Sequence, residues 1–115
     1  MKFILASKST RRKKILNKIN LDFKVFNSQL IEKNITNNYK NKSVYCKRLA
    51  IMKSKVVSKK FPDYYVIGAD TIVVLNNKIL NKPLNKKEAI NHLNLLSDNK
   101  HIVYTGVSLI NLSQN

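Results

Sequence analysis

Short apolar runs alternate with helix-period patterns along the whole of this chain, and few architectures accept that alternation. Strand-like and helix-like segments in turn argue for an α/β domain, because each buries its apolar side against the other. Lys2 to Ala6 reads as a first strand. Ser9 can cap a helix running to about Asn20, with Ile15, Leu16 and Ile19 on its inner face. Phe23 to Phe26 forms a second strand pattern, and the polar, asparagine-rich stretch from Asn27 to Lys42 reads as a loop. Ser43 then opens the clearest helix, in which Tyr45, Leu49, Met52 and Val56 recur at helical spacing, flanked by Cys46, Ala50 and Val57. Pro62 and Asp63 make a turn before a short buried strand over Tyr65, Val66 and Ile67. Ile72 to Leu75 and Lys78 to Leu80 flank Asn76-Asn77, a pair that tolerates the positive φ angles of a tight hairpin. Asn85 and Glu88 have capping-box spacing for a helix that turns Ala89, Leu93 and Leu96 inward, and His101 to Leu112 is a final strand pattern.

A chain of 115 residues is one domain at most, and a hydrophobic content of 43% allows a real but small core. No segment approaches the ~20 continuous apolar residues of a membrane span, and the N-terminal apolar run is too short for a secretory signal. Cys46 is the single cysteine; it has no internal disulfide partner, suits a reducing compartment and reads as a packed thiol. A cytoplasmic protein with no membrane partner is the expectation. The net charge of +16 invites a nucleic-acid reading. Yet 19 of the 22 basic residues are lysines spread along the chain among many asparagines and isoleucines, the residues that AT-rich codons favour. The tyrosines are scattered and not interleaved with the cations, so no specific nucleic-acid partner is expected. The last strand pattern ends with no closing helix. Either another chain covers that edge, as in a homodimer, or the sequence is incomplete at its C-terminus, which is the expectation here.

Six carboxylates are few enough to sort by elimination. Glu88 is assigned to a helix cap, Asp63 and Asp98 to turns, and Asp22 to a loop before a strand. Glu32 and Asp70 remain. Asp70 follows Val66-Ile67-Gly68-Ala69 at the carboxyl end of a strand, where ligands gather in α/β sheets, and Gly68 lets the backbone bend or approach a ligand. An aspartate that merely bonds its own turn fits the spacing equally well. Lys53 falls inside the apolar arc of its helix, between Leu49 and Cys46. It either meets a partner or an anion there, or it snorkels past its neighbours. Ser7, Ser9, Arg11 and Arg12 follow a strand and open a helix, whose free N–H groups and partial positive charge suit phosphate. The alternative is a basic first turn of no consequence. Lys82-Pro83 adds one more cation on a rigid turn.

Taken in order, these segments resemble the Maf family of nucleoside-triphosphate pyrophosphatases. Leu5-Ala6-Ser7-Lys8-Ser9-Thr10-Arg11-Arg12 is similar to the family's Leu-Ala-Ser-x-Ser-Pro-Arg-Arg, with Thr10 in place of proline. Glu32 matches a glutamate after the second strand, and Arg48-Leu49-Ala50-Ile51-Met52-Lys53 its Arg-Leu-Ala-x-x-Lys helix. Val66-Ile67-Gly68-Ala69-Asp70-Thr71 looks like its central motif, and Leu80-Asn81-Lys82-Pro83 like its Lys-Pro turn. Leu96-Ser97, His101, Thr105 and Gly106 fit the helix and strand that follow. The resemblance implies a mixed α/β sheet with flanking helices and a cleft between two lobes. It implies hydrolysis of a nucleoside triphosphate to the monophosphate and pyrophosphate. Asp70 would be general base or metal ligand, with Glu32 holding the same Mg²⁺ or Mn²⁺. Ser7, Ser9, Arg11, Arg12, Lys53 and Lys82 would bind the triphosphate, with Arg12 and Thr71 also selecting the base. Ala69-Asp70-Thr71 and the unbroken Arg11-Arg12 resemble the dTTP/UTP branch; the 7-methyl-GTP branch carries a glutamine at the Thr71 position and a tryptophan before the arginines. Family members continue further, so slow or absent turnover is expected of an isolated chain of this length. The alternatives are a 7-methyl-GTP pyrophosphatase and a truncated, non-catalytic basic binding module.

Overall fold

A computed structural model describes residues 2–28, 41–80, 83–97 and 99–114. The elements are β1 (Phe3–Leu5), α1 (Thr10–Lys18), β2 (Phe23–Val25), α2 (Lys42–Ser58), β3 (Tyr65–Leu75), β4 (Lys78–Leu80), α3 (Lys86–Ser97) and β5 (His101–Ile110). Most of the expected loop after β2 lies in residues 29–40, outside the described residues, and Lys42 already belongs to α2. Ser9 caps α1 as expected, its hydroxyl accepting from the Arg12 N–H at 3.2 Å. The cap of α2 is Asn41 rather than Ser43, with its Oδ1 accepting from the N–H groups of Ser43 and Val44.

The strands form one mixed five-stranded sheet, flanked by helices as the resemblance implied. β1 pairs in parallel with β2 and with the start of β3, from Phe3↔Tyr65 to Leu5↔Ile67. β4 folds back antiparallel on the end of β3, from Val73↔Leu80 to Leu75↔Lys78. Asn76 and Asn77 join them with φ of 50° and 64°, the left-handed pair that a tight hairpin requires. β5 runs antiparallel along the whole opposite edge of β3, from Val66↔Ile110 to Leu75↔His101. One edge of β3 is therefore shared by β1 and β4. Between them, from Gly68 to Ile72, that edge has no strand partner among the described residues.

The main correction concerns β3. The sequence reads as two short strands with a break at Gly68, whereas the structure has one strand of 11 residues. Asp70 thus sits in mid-strand, not at a strand's carboxyl end. Gly68 does not bend the backbone, since no glycine has a positive φ. It makes room for α2. A Cβ at Gly68 would overlap the Ala50 carbonyl oxygen and lie 2.9 Å from both Cβ and N of Ser54. Gly106, opposite Asp70 on β5, makes room in the same way, since a Cβ there would lie 2.8 Å from the Cys46 carbonyl oxygen.

A helix seated that closely needs small residues on its inner face. Cys46, Ala50, Ser54 and Ser58 supply them at every fourth position, with Tyr45, Leu49 and Val57 beside them. This rotates α2 from the orientation its apolar residues suggest, and Met52 and Val56 lie on the rim, 37% and 36% exposed. The core divides in two beneath this helix. Tyr45, Cys46, Leu49, Ile72 and Val74 form one cluster; Ile4, Ala6, Val57 and Val66 form the other. Leu49 and Val57 are essentially fully buried, each contributing about 1.5–3 kcal/mol. Between the clusters lies a polar waist of Ser54, Ser108 and Asp70.

The outer helices pack less than their patterns imply. Neither α1 nor α3 has a buried residue among those described, and Ile15, Ile19 and Leu93 are exposed. Periodicity tells which side of a helix is apolar, not whether anything covers it. No described helix is long and apolar enough to cross a membrane.

Candidate functional site

The open stretch of the β3 edge is where the sequence-selected residues converge. β1 ends at Leu5, and Ala6 adds one last bond, its N–H to the Ile67 carbonyl at 2.9 Å. The chain then leaves the sheet as Ser7-Lys8-Ser9 and turns into α1, so the first turn of α1 stands beside Gly68 to Ile72. In α/β sheets, sites form where neighbouring connections part in this way.

On the α2 side, the Lys53 ammonium donates to Asp70 Oδ1 at 2.7 Å. The side chains are 15% and 9% exposed, so the pair is largely out of water. Of the two sequence readings of Lys53, a partner within the fold is the correct one. The close approach allowed by Gly68 and Gly106 places Lys53 within reach. The Ser54 and Ser108 hydroxyls share a hydrogen bond of 2.8 Å one turn along, pinning α2 to β5. Cys46 fixes the helix at its other side, its thiol donating to the Asp70 carbonyl at 3.2 Å. Burial and then the Asp70 charge push the Cys46 thiol above its ordinary pKa. It is a packed, protonated thiol, as its helical position suggests.

On the opposite face of β3 a second polar group assembles. Ser7, buried, accepts from the Ser9 N–H at 3.0 Å and from Arg12 Nη1 at 3.4 Å. Its own proton remains to be donated. Arg12 Nη2 donates to Thr71 Oγ1 at 3.1 Å, and Thr71 Oγ1 lies 3.1 Å from Thr105 Oγ1 across the strand pair. Arg11 is exposed on the same first turn, which carries no acidic residue. Asp70 and Thr71 are neighbours in sequence that point to opposite faces, and the unpaired edge leaves both within one opening.

The structure brings Ser7, Ser9, Arg12 and Thr71 together, and Lys53 with Asp70. Glu32 and Lys82 lie outside the described residues. Glu88, assigned to a cap by spacing, has its N–H bonded to Asn85 Oδ1 at 2.8 Å, while its carboxylate faces His92 at 3.8 Å. Sequence reasoning missed the supporting residues Ser54, Ser108 and Gly106, and gave Thr105 no role. Thr105 was visible as a polar residue between Val103 and Val107, but nothing in the sequence fixes its register against Thr71.

The arrangement offers an anion site, formed by a helix N-terminus with two arginines and a serine hydroxyl, beside a carboxylate held by an ammonium. The family model for Maf-like proteins matches residues 2–115. A dTTP/UTP pyrophosphatase of Clostridium botulinum (strain Okra / Type B1) is 44% identical over 97% of this chain and 59% of its own length. Proteins of the same name from Syntrophus aciditrophicus (strain SB) and Elusimicrobium minutum (strain Pei191) are 42% and 38% identical over 95% and 99% of this chain. Those matches cover 52% and 60% of the two relatives, so the chain spans little more than half the length of the curated proteins it resembles. With a family match over nearly every residue, the chain belongs to the Maf-like protein family.

Proposed function

We propose that this chain is part of a cytoplasmic nucleoside-triphosphate pyrophosphatase that hydrolyses dTTP and UTP to the monophosphate and pyrophosphate. The observation that carries the reading is the Asp70 carboxylate, held at 2.7 Å by Lys53 and opening onto the same unpaired edge as the Ser7, Arg12 and Thr71 cluster. Its relatives' names, dTTP/UTP pyrophosphatase, point to the same reaction.

The triphosphate would sit against the first turn of α1, whose N–H groups, with Ser7, Ser9, Arg11 and Arg12, match its oxygens in charge and hydrogen bonding. Asp70 accepts the proton of a water attacking the α-phosphorus, and pyrophosphate leaves as the α–β bridging bond breaks. Lys53 keeps the carboxylate in place and offsets charge as it builds on the phosphoryl oxygens. Lys82 would add a further cation to the leaving group. Arg12 and Thr71 are the residues placed to read the base.

A divalent metal fits the donor chemistry, because Mg²⁺ is commonly bound by one or two carboxylates together with substrate phosphates. Asp70 is such a carboxylate, and Glu32 would be the second. Bound there, Mg²⁺ or Mn²⁺ would lower the pKa of a coordinated water and neutralise phosphate charge.

Phosphorus NMR of the chain incubated with a nucleotide panel and Mg²⁺ tests the proposal, with product identity and not rate as the readout. Pyrophosphate and monophosphate from dTTP and UTP are expected. Orthophosphate would overturn the reaction class, and a preference for 7-methyl-GTP the substrate. If no nucleotide is consumed and none raises the melting temperature, the chain acts instead as a non-catalytic basic binding module.

A further inference from the structure

The face of the sheet turned away from α2 is apolar along β3 and β5, except at one place. Ala69 and Val73 flank Thr71 on β3, and Val103 and Val107 flank Thr105 on β5; Thr71 and Thr105 are direct partners in register. Val103 and Val107 are 55% and 69% exposed, so this face is open to a ligand. A polar pair in the centre of an apolar surface, joined to a guanidinium, has the form of a site that supports a flat ring and reads its edge.

Counting protons sharpens the point. Each hydroxyl carries one proton and accepts at two lone pairs. Thr71 Oγ1 already accepts from Arg12 Nη2 at 3.1 Å. The 3.1 Å bond between the two threonines uses one of their two protons, whichever hydroxyl donates. One hydroxyl proton therefore remains to point out of the pair, alongside the guanidinium N–H groups. Donors facing outward complement the carbonyl oxygens of uracil and thymine. They oppose the exocyclic amino group of cytosine, which is itself a donor.

The structure assigns Thr105 as a positioning residue for base selection: its hydroxyl holds that of Thr71, so that the threonine pair and Arg12 present donors to an imide-type pyrimidine. This rests on the proposed nucleotide reading. Thr105 acts through Thr71, and its loss frees the Thr71 hydroxyl to rotate and to accept from an amino group. Discrimination falls, whereas phosphate binding, centred on Ser7 and the start of α1, is untouched.

Thr105→Val removes the hydroxyl at constant shape on an exposed strand position where valine is favoured, so the fold is retained. Thr105→Ser restores the hydroxyl. Calorimetric affinities for α,β-imido-UTP and α,β-imido-CTP with Mg²⁺, beside melting curves, provide the test. The wild-type chain should prefer the UTP analogue. Thr105→Val should lose roughly fivefold of that preference, the scale of one hydrogen bond, at an unchanged or raised melting temperature. Thr105→Ser should recover most of it. A wild-type ratio in Thr105→Val, or a serine variant as impaired as the valine one, overturns the inference alone. Failure of the wild-type chain to bind either analogue overturns the nucleotide reading and this inference with it.

Discussion

Gly68→Ala tests the packing on which the site depends. The new Cβ would overlap the Ala50 carbonyl oxygen and lie 2.9 Å from Cβ and N of Ser54. These are backbone atoms, or atoms fixed to it, so no side chain can rotate away. Helix α2 must lift from β3, and overpacking of this kind costs about 1–3 kcal/mol. The upper half of that range applies, because three contacts tighten together. Replacing glycine also lowers the entropy of the unfolded chain, which returns about 0.4–1 kcal/mol. A net loss of roughly 1–2.5 kcal/mol remains, about 5–15 °C in melting temperature for a domain near this size. Gly106→Ala meets longer contacts, 2.8 Å to Cys46 O and 3.0 Å to Cys46 C and Lys47 Cα, and should cost less. Urea denaturation of the three proteins gives the order directly. An unchanged midpoint for Gly68→Ala, or a larger loss for Gly106→Ala, would refute the idea that these glycines set the depth of α2.

Other outcomes follow from the same geometry. Lys53→Met and Asp70→Asn should each destabilise the fold, and a double-mutant cycle should give a coupling of about 0.5–3 kcal/mol; strictly additive losses would contradict a direct pair. Asp70→Asn should also reduce nucleotide turnover by ~10²-fold or more, whereas near-normal turnover in a folded variant would remove Asp70 from the chemistry. Asn77→Val places a β-branched residue at φ 64° and should cost about 1–2 kcal/mol, whereas Asn77→Gly should be neutral; equal effects would argue against a left-handed turn. The folded state holds the Cys46 proton more tightly than the unfolded chain does. Its contribution to stability is therefore full below the ordinary thiol pKa and declines as pH rises past it. Alkylation should be slow until the chain unfolds, and rapid labelling of the native protein near neutral pH would contradict the burial.

Much of the fold was legible because local rules and tertiary packing agree. The Asn76-Asn77 turn, the Ser9 cap and the strand at Phe3–Leu5 each follow from a propensity that nothing overrides. The reading failed where a residue's role depends on another element. Gly68 suggests a bend until α2 is seen above it. Met52 and Val56 suggest an inner face until the small residues Ala50 and Ser54 are found filling it. In the site, elimination among few carboxylates isolated Asp70, and the position of Lys53 in an apolar arc demanded a partner or an anion. That the two are each other's partners required the three-dimensional structure. Thr105 was illegible for the same reason, since its meaning lies in a cross-strand register with Thr71.

Hydrolysis of UTP by this chain in ¹⁸O-labelled water, with the products resolved by mass spectrometry, tests the central claim most directly. Attack at the α-phosphorus by a water deprotonated at Asp70 predicts one labelled oxygen in the monophosphate and none in the pyrophosphate. Label in pyrophosphate, or release of labelled orthophosphate, would place the attack at another phosphorus and contradict the account.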